Sequence, residues 1–130
     1  MAYEISNYTL KITLEAGADL SAAQYKFVKI SSGKAVVCSG ATDIPIGVLQ
    51  NSPTSGQDAS IVVAGGTKIV AGAAIAAGVV IGTSSTGKAD AKVAGTDTTE
   101  YAVGAVILAS AADADILTAV INCASPTRAA

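Results

Sequence analysis

An internal repeat limits the fold of this 130-residue chain more than any other feature of its sequence. Residues of the first half recur 54 positions later in the second half. The matched residues are Ala22, Ala23, Ser31, Gly33, Lys34, Ala35, Thr42 and Asp43, which correspond to Ala76, Ala77, Ser85, Gly87, Lys88, Ala89, Thr96 and Asp97. The sequence therefore predicts one domain built from two tandem repeats of about 54 residues, with halves at about 10–65 and 66–124.

The repeat extends on both sides of this matched set. Upstream the offset becomes 55, since Ser21 is a one-residue insertion. The upstream matches are Leu14, Ala16, Gly17, Ala18 and Leu20 with Ile69, Ala71, Gly72, Ala73 and Ile75. Downstream, IGVLQ at 46–50 is similar to VGAVI at 103–107, and SIVVAG at 60–65 to AVINCA at 119–124. Residues 1–9 are left as an N-terminal arm, and 125–130 are predicted to form a flexible tail.

Short strands are predicted along almost the whole chain. Leu10, Ile12 and Leu14 alternate with polar residues, which is typical of a strand with one buried face. Segments such as KFVKI, KAVVC, GVVIG and LTAVINCA follow at short intervals, separated by Gly, Ser, Asp and Pro. This spacing predicts an all-β fold, a compact small barrel or sandwich. SAAQ and AGAAIAAG add at most one or two short helical turns.

The segment GTSSTGK at 82–88 matches the spacing of a nucleotide-binding P-loop. A P-loop needs a helix after the lysine and a Ser or Thr hydroxyl for Mg²⁺, but Ala89 follows Lys88 and no helical pattern continues the segment. The equivalent segment of the first half, SSGKA at 31–35, lacks the leading glycine. We therefore interpret both segments as hairpin tips that occupy equivalent turns.

The inventory of reactive side chains predicts neither an enzyme nor a cofactor or metal site. The chain has no histidine, which removes the commonest general base and most catalytic zinc sites. Asp113 with Asp115, and Asp97 with Glu100, are the closest acid pairs, and we interpret them as solvated turn residues. The pairs Lys34 with Asp43 and Lys88 with Asp97 recur by repeat and predict a salt bridge or a turn cap in each half.

Composition and charge limit the partners. The net charge is −2 with scattered basic residues, so no nucleic-acid surface is expected. No segment is long and apolar enough to predict a membrane helix, and the N-terminus lacks the pattern of a secretory signal. Cys38 and Cys123 lie in apolar strands and are expected to be buried free thiols of a protein folded in a reducing cytosol. The apolar fraction of 51% is carried largely by alanine, so we expect subunit packing to complete a thin core.

From about Leu10 to Cys123 the chain resembles the lambda-type capsid decoration, or head stabilisation, proteins of tailed bacteriophages. The resemblance is carried by the A-G-A-x-[LI] turn at 16–20 and 71–75, the central IPIGVLQNSPTSGQ, and the closing VGAVILASAADADILTAVI. It implies a small β-clip-like domain made in the host cytoplasm. It further implies a homotrimer on the outer surface of the mature head, where it binds the major capsid protein and stabilises the expanded lattice.

Within this resemblance, the arm is the candidate for capsid binding. Tyr3, Ile5 and Tyr8 lie among few charges and are predicted to anchor it, for example by adding a strand to a capsid sheet. The alternatives are that the arm is the first strand of the domain or a disordered start, and that the loops at 51–59 or around Asp113 make the contact. The alternative functions are another virion module, of a tail or fibre, and a small biotinyl- or lipoyl-like carrier or binding domain.

Overall fold

The computed structural model describes residues 9–130, and these residues form eleven β-strands and no helix. The strands are β1 (Leu10–Glu15), β2 (Phe27–Ser31), β3 (Lys34–Val37), β4 (Gly47–Leu49), β5 (Asp58–Val70), β6 (Val80–Thr83), β7 (Ala89–Ala91), β8 (Tyr101–Ala102), β9 (Gly104–Leu108), β10 (Ile116–Asn122) and β11 (Thr127–Arg128). The all-β prediction is confirmed. The predicted helical turns at SAAQ and AGAAIAAG are absent, and these segments form bends and turns instead.

The strands of the first half form a closed ring. β1 pairs antiparallel with the first part of β5, β5 pairs with β4, β4 with β2, and β2 with β3. Just after β1, Ala16 forms a parallel bridge with Ala35 of β3, which joins the last strand of the series to the first. The backbone N–H of Gly17 donates to the Ala35 carbonyl at 2.8 Å in the same place.

The second half repeats this ring with the same order of strands. The last part of β5 takes the place of β1, and it pairs with β10, which pairs with β9, which pairs with β6, which pairs with β7. Ala71 bridges Ala89 as Ala16 bridges Ala35, and Gly72 donates to the Ala89 carbonyl at 2.9 Å. β5 therefore supplies the last strand of the first ring and the first strand of the second.

Strand pairing corrects the sequence alignment of the repeat in two places. Phe27 of β2 and Val80 of β6 occupy equivalent positions, an offset of 53 rather than 54. Ser60 of β5 and Thr118 of β10 are equivalent, an offset of 58 rather than 59. The hairpin tips explain the first difference, because the tip between β6 and β7 is longer than the two-residue tip between β2 and β3. The one-residue insertion therefore lies in the β6–β7 tip.

The core consists of two apolar clusters. One fills the first ring and includes Val28, Ala35, Leu49 and Ile61, all fully buried. The other fills the second ring, with its fully buried members Ile69, Ile81, Ala89 and Ala119. Five side chains of the first half, namely Phe27, Cys38, Val48, Val62 and Val63, belong to the second cluster and join the two halves.

The C-terminal residues take part in the fold, which differs from the predicted flexible tail at 125–130. β11 pairs with β8 through Thr127↔Ala102 and Arg128↔Tyr101. Ala129 is buried, and its N–H donates to the Glu100 carbonyl at 2.9 Å. The sequence SPTRAA contains no alternating pattern, so the strand depends on a partner that the local sequence does not show.

Candidate interaction surface

The P-loop-like segment is a hairpin tip, as the repeat predicted. Ser84 N–H donates to the Lys88 carbonyl at 2.8 Å, and the Ser84 hydroxyl accepts from the N–H groups of Thr86 and Lys88. Strand β7 follows directly, so the helix N-terminus that binds phosphate in a P-loop is missing. The Gly87 carbonyl accepts a 2.7 Å bond from Phe27 N–H, which fixes the tip against the first half.

The repeated acids are turn caps rather than partners of the repeated lysines. Asp43 accepts from Ser39 N–H at 2.8 Å, and Asp97 accepts from Val93 N–H at 2.6 Å, four residues upstream in both cases. The Val93 bond lowers the pKa of Asp97. Burial raises the pKa of Asp43, but the hydrogen bonds from Lys29, Ser39 and Gly40 outweigh burial and leave it lowered. The predicted turn caps are confirmed.

The lysines at the hairpin tips make other ion pairs. Lys34 Nζ lies 3.3 Å from Glu15, and Lys88 Nζ lies 2.9 Å from Asp113. Of the two predicted alternatives, the turn caps are therefore formed and the Lys34–Asp43 and Lys88–Asp97 salt bridges are not. Strand pairing explains the first partner, because β1 closes the ring beside β3 and brings Glu15 toward Lys34. Both lysines are thus paired with carboxylates, and Lys34 stays about half exposed in its pair.

In the loop before β10, Asp113 forms an ion pair and Asp115 caps a turn. Asp113 pairs with Lys88, which lowers the pKa of this carboxyl through the hydrogen bond and the charge. Asp115 accepts from the N–H groups of Ala111 and Ala112, both at 3.0 Å. Within residues 9–130, no group of three or more Cys, Asp or Glu side chains is arranged to hold a metal ion.

A buried lysine is the polar feature that the sequence did not predict. The Lys92 side chain is fully buried, and its Nζ lies 2.6 Å from Glu100 and 3.1 Å from Asp90. It also donates to the Thr83 carbonyl at 2.9 Å. Three acceptors around one ammonium satisfy its charge away from water. The arrangement is structural, since Lys92 is closed off from solvent, and it connects β6, β7 and the segment before β8.

Both cysteines are buried free thiols, which confirms the sequence prediction. Burial raises the pKa of Cys38 to about 12, and the Thr83 side chain offsets this increase in part. Burial also raises the pKa of Cys123 to about 12, with a further increase from the charge of Cys38. Thiols with such pKa values are poor nucleophiles at neutral pH.

An exposed apolar face lies on the outer side of the second ring. Val80, Leu108, Ile116 and Val120 are between 45% and 63% exposed. Val80 and Val120 lie on one side of the sheet, because both pair with Ala105. Leu108 pairs with Thr118, which is two residues from both Ile116 and Val120. Since alternate residues of a strand share a face, all four lie on the same side. We call these four residues the second-half face. Such a cluster on a small protein is a candidate interaction surface.

Of the predicted capsid-contact regions, the structure describes the two loops but not the three arm residues. Tyr3, Ile5 and Tyr8 lie outside the described residues. The 51–59 loop is well ordered by its own bonds, with Asn51 donating to the Asp58 carbonyl and accepting from Ser60 N–H. Its Thr54 N–H donates to the Gln57 side chain at 2.8 Å, and its exposed residues are polar.

No helix that could cross a membrane occurs among residues 9–130.

Comparison with known proteins shows a shared fold. No family profile and no curated protein matches the sequence. Among solved structures, the chain is similar to the N base of head fiber gp8.5 of bacteriophage phi29. The TM-score is 0.64 at 16% sequence identity, and the match covers 89% of this chain and 96% of that chain. The two-ring β-architecture is thus the fold of a known phage protein base over nearly the whole of both chains.

Proposed function

We propose that this chain is a structural protein of a tailed-bacteriophage virion that binds the outer surface of the head and contacts the major capsid protein. The observation that carries the proposal is the fold shared with the phi29 head fiber base over 89% of this chain. The order of motifs that resembles decoration proteins supports the same location. The proposed role is not enzymatic and involves no cofactor, nucleic acid or membrane.

The proposed action on the capsid is cementing of the expanded lattice by a homotrimer. Three linked copies that touch neighbouring capsid subunits convert weak single contacts into high avidity. An alanine-rich core gains stability when subunits associate, so the apparent melting temperature should rise with protein concentration. A melting temperature that is independent of concentration, together with a monomer by light scattering, would contradict the trimer.

A fibre base is the second candidate function, and the phi29 head fiber fold favours it specifically. A fibre base and a decoration protein would both bind the head. They would differ in which head sites they occupy and in whether their binding stabilises the head. Cementing requires binding at regularly spaced lattice sites and makes heads more resistant to heat or chaotrope. A fibre base needs to dock but not to stabilise.

The test is addition of the purified protein to expanded heads that lack it, followed by electron microscopy. Density at lattice spacing together with a higher melting temperature of the heads supports decoration. Density without stabilisation supports the fibre base. Absence of any bound density at micromolar protein would overturn head binding for both candidates.

A truncation tests the arm as the capsid anchor. Deleting residues 2–8 should leave the domain folded by circular dichroism, because both rings lie within residues 10–124. Co-sedimentation with heads should fall severely, since each buried aromatic or aliphatic anchor contributes on the order of 2 kcal/mol. Tyr3→Ala with Tyr8→Ala should give an intermediate defect.

Two loop variants provide the matched comparison. Ser55→Arg places a long charged side chain in the 51–59 loop, and Ala112→Arg does so beside Asp113, both at exposed positions. If the arm is the anchor, both variants bind heads normally. If the truncated protein binds as well as the intact chain while a loop variant does not, the contact lies in that loop.

A further inference from the structure

The same row of side chains is buried in one half and exposed in the other. In the first half, Phe27 pairs with Val48, and Val48 pairs with Val62, across β2, β4 and β5. All three are at most 2% exposed. In the second half, the equivalent row runs from Val80 through Ala105 to Val120, with identical pairing across β6, β9 and β10. Val80 is 45% and Val120 is 49% exposed.

The first row is buried because the second ring covers it. Phe27 N–H donates to the Gly87 carbonyl at the tip of the β6–β7 hairpin. A Cβ on Gly87 would lie 2.7 Å from the Val37 side chain, so the tip packs tightly on the first half. Behind the tip, Thr83 at the end of β6 is buried. The Phe27–Val48–Val62 row of the first half therefore packs against the β6–β7 hairpin of the second half.

The hairpin of the first half occupies the equivalent place, with a shorter tip, and no other part of the described chain covers Gly33 at that tip. Gly33 shares the positive φ of Gly87 (76° and 79°), yet a Cβ on Gly33 would meet no atom within 4 Å. Ile30 occupies the place of Thr83, since Ile30 pairs with Ala35 as Thr83 pairs with Ala89. Ile30 is 52% exposed, whereas Thr83 is 1% exposed. An apolar residue thus stands exposed where its counterpart is covered.

We propose that a second copy of this chain joins the two open surfaces head to tail. The second-half face of one copy docks on the β2–β3 hairpin of the next, around Ile30 and Gly33, and repeats the contact that unites the halves within one chain. The occupant is another copy because the chain already contains this contact once, between closely related units. The apolar side chains of the second-half face would pack on Ile30, which is flanked at the hairpin tip by the exposed Ser31, Ser32 and Lys34.

This contact is heterologous, because two different surfaces meet. Such contacts close into a ring or continue as a filament, depending on the rotation between copies. Three copies in a ring would present six related units. The inference refines the proposed trimer and rests on self-association, but not on binding to the head.

Complementary variants test the contact in solution. Val120→Asp blocks the second-half face, and Ile30→Asp blocks the hairpin surface. Each should raise the dissociation constant of self-association at least about tenfold, measured by analytical ultracentrifugation. An equimolar mixture retains one intact pair of surfaces and should form a dimer that neither variant forms alone. Ile44→Asp is the control, since Ile44 is 50% exposed and lies on neither surface.

The result that overturns the proposal is equally specific. If both aspartate variants associate like the wild type, or if the wild type is a monomer at millimolar concentration, the contact does not exist. If one variant abolishes association and the mixture gives no dimer, the face binds to itself instead. Val120→Thr and Ile30→Thr keep the β-branched shape and replace any aspartate variant that does not fold. Failure of head binding with a normal mixing result would reject only the proposed function.

Discussion

Tyr25 adopts a left-handed backbone conformation (φ 64°) at the position that Gly78 (φ 86°) occupies in the second half. Both N–H groups make the same bond, from Tyr25 to the Leu49 carbonyl and from Gly78 to the Val106 carbonyl, each 2.7 Å long. This conformation costs a side-chain-bearing residue about 1–2 kcal/mol. The Tyr25 carbonyl accepts from Val70 N–H, and Lys68 Nζ lies 5.9 Å from its ring. Contacts to β5 therefore hold Tyr25 where glycine is otherwise preferred.

Gly78→Ala should lower the free energy of unfolding by about 1 kcal/mol. The cost is conformational alone, because a Cβ at this position would meet no atom within 4 Å. Urea unfolding followed by circular dichroism measures it. Gly66→Ala is the control, since Gly66 is equally open but has no positive φ. Equal stability of the Gly78 variant and the wild type would contradict the prediction.

Lys92→Met should lower the free energy of unfolding by about 3 kcal/mol or more, because it leaves the partly buried Glu100 without its cation. Lys34→Met removes an ion pair in which both side chains are about half exposed and should cost less than about 1 kcal/mol. Chemical denaturation of both variants under identical conditions provides the comparison. Similar small losses in both would show that the buried ion pairs around Lys92 do not stabilise the fold.

The buried thiols should make stability depend on alkaline pH. Because the pKa values of Cys38 and Cys123 are raised to about 12 in the folded chain, from an ordinary value of 9.0, the folded state favours the neutral thiols. Their contribution is complete below pH 9 and is lost as the pH rises from 9 toward 12. The free energy of unfolding should fall over this range, and less steeply in the Cys38→Ala, Cys123→Ala variant. Parallel pH profiles would refute the assignment.

The GTSSTGK segment should bind no nucleotide. Its turn is followed by a strand, and its tip is packed against Phe27. Isothermal titration with Mg-ATP is expected to give no heat of binding, for the wild type and for Lys88→Ala alike. Micromolar binding of Mg-ATP that Lys88→Ala abolishes would contradict this prediction and indicate a phosphate site at this hairpin.

Local patterns predicted the strands and turns because they depend on neighbouring residues. The alternation of Leu10, Ile12 and Leu14 predicted β1, and the repeat of SSGKA in SSTGKA predicted equivalent hairpins. The partners of Lys34 and Lys88 could not be predicted, because they are set by which strands close each ring. β11 was missed for the same reason, since its partner β8 is 25 residues away and only two residues long.

The candidate interaction surface could not be predicted from the sequence. Val62 and Val120 are the same residue type in equivalent strands, and only the packing of one half on the other buries the first and exposes the second. The burial of Lys92 was hidden as well, because a single lysine between two alanine-rich segments reads as a solvated surface residue. The predicted anchors Tyr3, Ile5 and Tyr8 stay a prediction.

Strand β5 has a consequence for how the protein yields under load. Because Asp58–Val70 is one uninterrupted strand that forms a wall of both rings, residues 9–130 contain no linker at which one unit can detach from the other. A pull on either ring must break ladders on both sides of β5 before it frees any length of chain. The molecule should therefore resist tension as one body and fail in a single step rather than by stretching unit by unit.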